Sequence, residues 1–280
     1  MAQTNPGQRN GSWPAKESHP AQPRLLPLWQ ALSLPLLAFF SLPLLALFVR
    51  ASPASLVADL TRPQVLQAIG LSLVTTLTST AITILFGTPL AYALAHRGGP
   101  LRRLVDTLID LPTVLPPAVA GVALLMAFGR RGLLGGLLES AGLQLAFTPL
   151  AVILAQVFIS APFYIKSAVV GFSSIDIELE QAAGLDGANS WQTFRYVIVP
   201  LSWTALLSGS VMSWARALGE FGATIIFAGN FPGRTQTMPL AIYIGFELDL
   251  NVALTLSVIL VGFSFLALMV VKGILHRDWT

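Results

Sequence analysis

Six stretches of this chain run without a single Asp, Glu, Lys or Arg: residues 25–49, 65–95, 111–129, 143–165, 196–215 and 250–271. Each is long enough to cross about 30 Å of hydrocarbon as a helix, 111–129 being the shortest. Only helices or closed barrels satisfy their own backbone in lipid, and runs of this length are helical. The pattern predicts an all-α polytopic membrane protein with six transmembrane helices. Composition agrees, since 10% of residues are charged where a soluble domain carries about 25%. The second stretch exceeds what one upright crossing needs and is expected to tilt or project into water. Prolines 35 and 43 are expected to kink the first, and Pro112, Pro116 and Pro117 to break or kink the third.

Residues 1–24 are rich in Pro, Gly, Ser, Asn and Gln and show no apolar period, which predicts a disordered tail ahead of one transmembrane domain over 25–280. The 25 uncharged residues that follow exceed a secretory h-region of about 7–15, so a cleaved signal is the weaker reading. With the amino terminus inside, the inner segments hold Arg9, Lys16, Arg24, Arg97, Arg102, Arg103, Lys166, Arg195, Lys272 and Arg277. The outer ones hold Arg50, Arg62, Arg130, Arg131 and Arg234. Ten against five places both termini in the cytoplasm. The net charge of +3 is spread singly between apolar blocks, which is a loop bias and not a nucleic-acid surface.

Between spans four and five lies the one long hydrophilic insertion, about residues 173–200, net acidic over 173–195 and cytoplasmic under this topology. Asp176 stands where it caps a short helix with Glu178 and Glu180 in its first turn. Gly184 and Gly187 are expected to end that helix. Asn189 or Ser190 then starts a second, with Trp191, Phe194 and Val197 on one face, and Pro200 opens span five. So much local order in a loop of about 20 residues points to function.

Glu180-Gln181-Ala182-Ala183, then Gly187, nine residues, and Val197-Ile198-Val199-Pro200 resembles the Glu-Ala-Ala loop of the membrane subunits of binding-protein-dependent ABC importers. Gln181 stands where the family often has Glu, and Val197 and Val199 where it has Ile and Leu. The resemblance implies that this loop couples the chain to cytoplasmic ABC ATPase subunits, with an extracytoplasmic binding protein and a second copy of the chain as further partners. Other blocks narrow it. Asp110-Leu111-Pro112-Thr113-Val114-Leu115-Pro116-Pro117, Gly129-Arg130-Arg131-Gly132, Ser160-Ala161-Pro162-Phe163-Tyr164, Arg216-Ala217-Leu218-Gly219-Glu220-Phe221-Gly222-Ala223-Thr224 and 229–243 are similar to molybdate permease subunits. The first and third are shared with sulfate and other oxyanion permeases. The resemblance implies import of molybdate, with tungstate beside it and sulfate or thiosulfate as the alternative.

Arg216 and Glu220 are the opposite charges set deep in apolar sequence, and at i, i+4 they share a helical face. Isolated charges are costly in a bilayer, so the pair belongs to the passage wall or its gate, or else is a structural ion pair. Residues 229–233 interrupt the helical pattern, with Phe221 before them and Asn230, Thr235, Gln236 and Thr237 in and after them. Two readings stand: a gate loop covered by protein, or an exposed outer loop. Few fixed cations line the candidate passage, which suits an anion that must leave again. The six Trp are better explained by interfaces and packing than by ligand stacking.

No Gly-x-x-x-x-Gly-Lys-Ser/Thr is present, and the lysines are Lys16, Lys166 and Lys272, so the chain has no P-loop of its own. Neither His-Glu-x-x-His nor Gly-x-Ser-x-Gly occurs, and cysteine is absent. The chain is expected not to be an enzyme, to need no cofactor and to hold no metal, with energy supplied by a partner or a gradient. A gradient-driven secondary transporter is the rival class, but no internal repeat supports it.

Overall fold

A computed structural model describes residues 26–96 and 98–277. The expected tail, with Arg9, Lys16 and Arg24, lies outside the described residues, as does Arg97. The chain divides after Ala46 into two compact units. The first holds most of α1 (Leu26–Arg50), one continuous helix with Pro35 and Pro43 inside it.

The second unit is built on α3 (Pro63–His96), preceded by the short α2 (Pro53–Asp59). At 34 residues and 1.5 Å per residue, α3 is about 51 Å long, more than a bilayer core requires. Its faces are inverted relative to a helix in water. Ser72, Thr75, Thr76, Ser79, Thr80 and Thr83 recur at helical spacing and are buried, whereas Val74, Leu77, Leu85 and Phe86 face outward. Lipid solvates the apolar side, so small hydroxyl residues are free to line the helix contacts. Several hydroxyls return to their own helix, such as Thr75 Oγ1 to the Leu71 carbonyl at 2.8 Å and Thr76 Oγ1 to that of Ser72 at 2.7 Å.

Two helices pack on α3: α7 (Pro149–Ser173) and α11 (Trp203–Leu218). Trp214 Nε1 donates to Thr76 Oγ1 at 3.1 Å, Ser213 Oγ to the Ser160 carbonyl at 3.1 Å, and Ser167 Oγ to that of Ala205 at 2.7 Å. A Cβ on Gly209 would lie 2.7 Å from that of Ser167, so α7 and α11 approach as only small residues permit. α14 (Leu250–Arg277) closes this side.

Two expected spans are not single helices. Residues 111–129 are divided between α4 (Pro100–Val114) and α5 (Pro117–Phe128), which meet at 118°. Pro116 and Pro117 turn the chain, since neither supplies an amide to continue α4, while Pro112 stays inside it. The stretch 196–215 is bent by 73° between Ser190–Leu201 and Trp203–Leu218. Pro200 therefore lies on the near side of the corner at Ser202, and the span begins at Trp203. Among the described residues, four helices are long and apolar enough to cross alone, and up to six crossings result when each bent pair counts as one. The fourth span starts later than expected, with Thr148 capping α7 through its hydroxyl and residues 143–147 outside the helix.

The sequence reading missed α6 (Gly135–Ser140), α12 (Gly222–Phe227) and α13 (Met238–Leu248). Gly121 of α5 and Gly222 of α12 allow these elements to touch: a Cβ on Gly222 would come within 2.6 Å of the Pro117 ring. Beyond them, Arg62 bridges two acids, Asp59 Oδ1 at 2.9 Å and Asp249 Oδ2 at 2.6 Å. Asp249 also caps α14, accepting from the Asn251 and Val252 amides.

Candidate functional site

The insertion after α7 is an ordered arm. α8 (Ile177–Leu185) begins at Asp176, which occupies the cap position but makes no side-chain cap bond. Gly184 lies within the helix, and the turn falls at Asp186-Gly187, with Gly187 at φ +88°. That left-handed conformation is open to glycine and resisted by other residues. Asn189 starts α9 (Ser190–Thr193) by a reciprocal box: its Oδ1 accepts from the Gln192 amide at 2.9 Å, and Gln192 Oε1 accepts from the Asn189 amide at 2.8 Å. A π-helical turn, Phe194–Ile198, and α10 (Val199–Leu201) lead to the corner.

The arm is anchored on one side and bare on the other. Phe194 packs edge-on against Tyr92 of α3 and tilted against Phe172 of α7. Ile198 is buried with them. In contrast α8 has no buried residue. Gln181 and Ala182 face outward, Ala183 is half-buried, and Ile177, Leu179, Leu185 and Trp191 are exposed, Leu185 to 89%. Glu180 departs from the expected pattern: its Oε1 lies 2.8 Å from Nε2 of His96, and its side chain is 19% exposed. It is engaged inside the chain.

Arg216 and Glu220 meet as their spacing implies, Nη1 to Oε2 at 3.0 Å. They do not share one helix, because α11 ends at Leu218 and Glu220 lies in the break before α12. The other carboxylate oxygen of Glu220 accepts from the Ala223 amide at 2.8 Å. One buried acid thus neutralises Arg216 and caps α12. Phe221 contacts the Tyr243 ring of α13 at 5.3 Å.

The segment after Gly229 has an exposed tip and a buried root. Phe231, Pro232, Gly233 and Arg234 face outward, whereas Thr235, Gln236 and Thr237 are buried. The Phe231 carbonyl accepts from the amides of Arg234, Thr235 and Gln236, and Thr235 Oγ1 accepts from the Phe231 amide. Asn230 Nδ2 donates to the Leu240 carbonyl at 3.3 Å. The root is tied to α3 by the Met238 amide, which donates to Ser72 Oγ at 2.7 Å. Gln236 lines a cavity of about 80 Å³ with Arg62 and Asp249. The Oγ1 atoms of Thr224 and Thr237 and the Oδ1 of Asn230 are buried with no partner among the described residues.

Three participants escaped sequence reasoning. His96 pairs with a residue 84 positions away. Lys166, counted among the loop cations, lies inside α7 and bonds Asp106 Oδ1 at 2.6 Å and Asp110 Oδ2 at 2.8 Å, both on α4. Ser72 holds the loop root. No local signal marks these pairings; the i, i+4 spacing of Asp106 and Asp110 was the only trace.

A helical unit with apolar spans, a hydroxyl-lined interior and an ordered, exposed arm is the architecture expected of a transport permease subunit. The chain belongs to the family of binding-protein-dependent transport system inner membrane components, whose model matches residues 84–277. It is 38% identical over 214 residues to a probable transport system permease protein of Clostridium pasteurianum, covering 76% of this chain and 75% of that one. With the molybdenum transport system permease protein of Mycobacterium tuberculosis it shares 43% over 215 residues, 77% and 80% of the two chains. A sulfate transport system permease protein of Synechococcus elongatus is 36% identical over 211 residues, 75% and 73% of the chains. The fold is that of a bacterial ABC transporter for alginate import, with TM-score 0.65, 18% identity, and 89% and 94% of the chains covered. It is also that of a methionine ABC transporter, with TM-score 0.54, 19% identity, and 84% and 97% covered. The chain is a permease component and not itself a catalyst.

Proposed function

We propose that this chain is the membrane-spanning subunit of an ATP-driven importer of molybdate, with tungstate as a second cargo, and that two copies form the passage. The observation that carries the reading is the arm: α8 has no buried residue, and apart from Glu180, which meets His96, it leaves Ile177, Glu178, Leu179, Gln181, Ala182 and Leu185 exposed. Such a surface fits a groove on a separate cytoplasmic ATPase. Glu180, Gln181, Ala182, Ala183, Gly187 and Pro200 form the coupling region, with Gln181 and Ala182 facing the ATPase and Glu180 holding the arm in place. Relatives that carry molybdenum transport in their names support the cargo.

Arg216, Glu220, Phe221, Asn230, Thr235, Gln236 and Thr237 form the gate region in this reading. Burial of the loop root, with Thr237 Oγ1 and Asn230 Oδ1 unpartnered among the described residues, favours a gate over an exposed connector, since polar groups left bare in one state find partners in another or in passing water. An extracytoplasmic binding protein delivers the anion, in keeping with a related alginate transporter solved with its periplasmic protein. Both termini lie in the cytoplasm, and residues 25–280 act as one permease domain behind a tail. Sulfate or thiosulfate is the second reading, favoured by the 36% identity to a sulfate permease.

Purification of the chain with a co-expressed ABC ATPase from the same genome tests the proposal. Co-elution at two ATPases per two permease chains, with hydrolysis stimulated by molybdate-loaded binding protein above sulfate-loaded, is expected. Absence of any complex, or stimulation by sulfate alone, overturns the assembly or the cargo respectively.

A further inference from the structure

The coupling arm and the buried loop root are attached to opposite ends of the same helix. At one end of α3, His96 Nε2 lies 2.8 Å from Glu180 Oε1, while His96 Nδ1 lies 3.0 Å from the Tyr92 carbonyl one turn back. The imidazole is therefore oriented by its own helix before it meets the arm. Tyr92 stacks on His96 and meets Phe172 and Phe194, so the contact is set in a ring cluster where the arm joins α3 and α7. Towards the other end, Ser72 Oγ accepts from the Met238 amide, and a Cβ on Gly233 would sit 3.1 Å from Gln67 Oε1. Twenty-four residues separate Ser72 from His96, about 36 Å along the axis.

We infer that His96 is a positioning residue that locks the coupling arm to α3 through Glu180, making α3 the rod by which arm movement reaches the Thr235–Thr237 root. This rests on the arm being the ATPase-coupling element. Because the first acid of the motif region is turned toward α3, the arm cannot shift without either breaking this bond or carrying α3 with it. An element whose state both sites bias can carry coupling between them, and α3 is bonded to both. Glu180 accordingly acts inside the permease, and the ATPase meets Gln181, Ala182 and the apolar residues beside them.

Reconstituted transporter with its ATPase and binding protein tests this by the ratio of anion imported to ATP hydrolysed. His96→Ala and Glu180→Ala are each expected to lower that ratio about tenfold, the scale of losing a hydrogen bond to a carboxylate, while ATPase co-elution stays as in the unmodified protein. The double variant is expected to be no worse than either single one, as for two residues joined by one contact. His96→Gln, which keeps a donor of similar reach, is expected to restore most of the ratio, which a generic packing defect would not allow. Additive losses, or loss of co-elution in Glu180→Ala with His96→Ala unaffected, would mean that Glu180 contacts the ATPase directly and would overturn the inference. Gly187→Val serves as the reference. If it uncouples transport while His96→Ala and Glu180→Ala do not, the lock is wrong and the coupling arm stands. If Gly187→Val also leaves the ratio unchanged, the coupling reading itself fails.

Discussion

Glu220 illustrates how one side chain is constrained from two directions. Its carboxylate is 1% exposed and satisfies both Arg216 and the Ala223 amide. Removing it strands a part-buried guanidinium and an orphan helix amide, so Glu220→Ala is expected to cost roughly 3 kcal/mol, read as a lowered unfolding midpoint in detergent. Glu220→Gln retains an acceptor for Ala223 and should lose less. The sequence disclosed that these residues pair, because i, i+4 spacing is local. It did not disclose the helix end between them, which depends on packing of Gly222 against Pro117. Asp249 gives a pH signature. The Arg62 hydrogen bond, followed by burial acting in the opposite sense and the Val252 and Asn251 amides, leaves its carboxyl below the ordinary value. A lowered folded value gives stability that is fully present above the ordinary carboxylate value and disappears as pH falls through the folded one. The stability difference between the native protein and Asp249→Asn should therefore stay level from neutral to mildly acidic pH and shrink only in stronger acid. A difference that vanished near pH 6 would contradict this clamp.

At the scale of elements, charge-free runs disclosed where lipid-facing helices lie, because the bilayer imposes length and polarity together. Corners were less legible. The prolines at 112, 116 and 117 mark a disruption, but the same residues fit a mild kink or the observed 118° turn, and only the contact of α5 with α12 selects the latter. The hydroxyls of α3 were hidden for a related reason: in a membrane they lie inward, the reverse of the pattern that reveals amphipathic helices in water. The arm was legible because its signals are local, namely Asn189 or Ser190 as a cap and Gly187 at the turn; the reciprocal bond from Gln192 emerged only in the structure. A Cβ on Gly187 would meet nothing within 4 Å, so the only obstacle to a side chain there is φ +88°. Gly187→Val is expected to cost about 1–2 kcal/mol locally, leave helix content and expression intact, and reduce import per ATP hydrolysed. Import and hydrolysis falling in parallel would indicate a damaged fold instead.

For the molecule as a whole, the proposed function separates selectivity from movement. The gate region contains Arg216, neutralised by Glu220, and otherwise hydroxyls, amides and an aromatic ring. Of the other cations near this proposed gate, Arg62 is held by Asp59 and Asp249 and Arg234 lies at the exposed loop tip, so little fixed positive charge remains among the described residues to distinguish two divalent tetrahedral oxyanions by strong binding. Exchange of the binding protein for a sulfate-binding one able to dock should thus change the imported anion, whereas Thr235→Ala, Gln236→Ala and Thr237→Ala should change its rate. A switch of anion by those three substitutions, with the binding protein unchanged, would make the loop root a substrate site.

Movement of an oxyanion by this chain with energy from a separate ATPase is the proposed function. It is tested most directly by loading proteoliposomes that contain the chain, its ATPase and ATP on the ATPase side, adding binding protein and labelled molybdate on the other, and following accumulation. Concentrative uptake that needs ATP and the binding protein and persists when ion gradients are collapsed is expected. Uptake by the chain without the ATPase, abolished by collapsing a proton or sodium gradient, would contradict it.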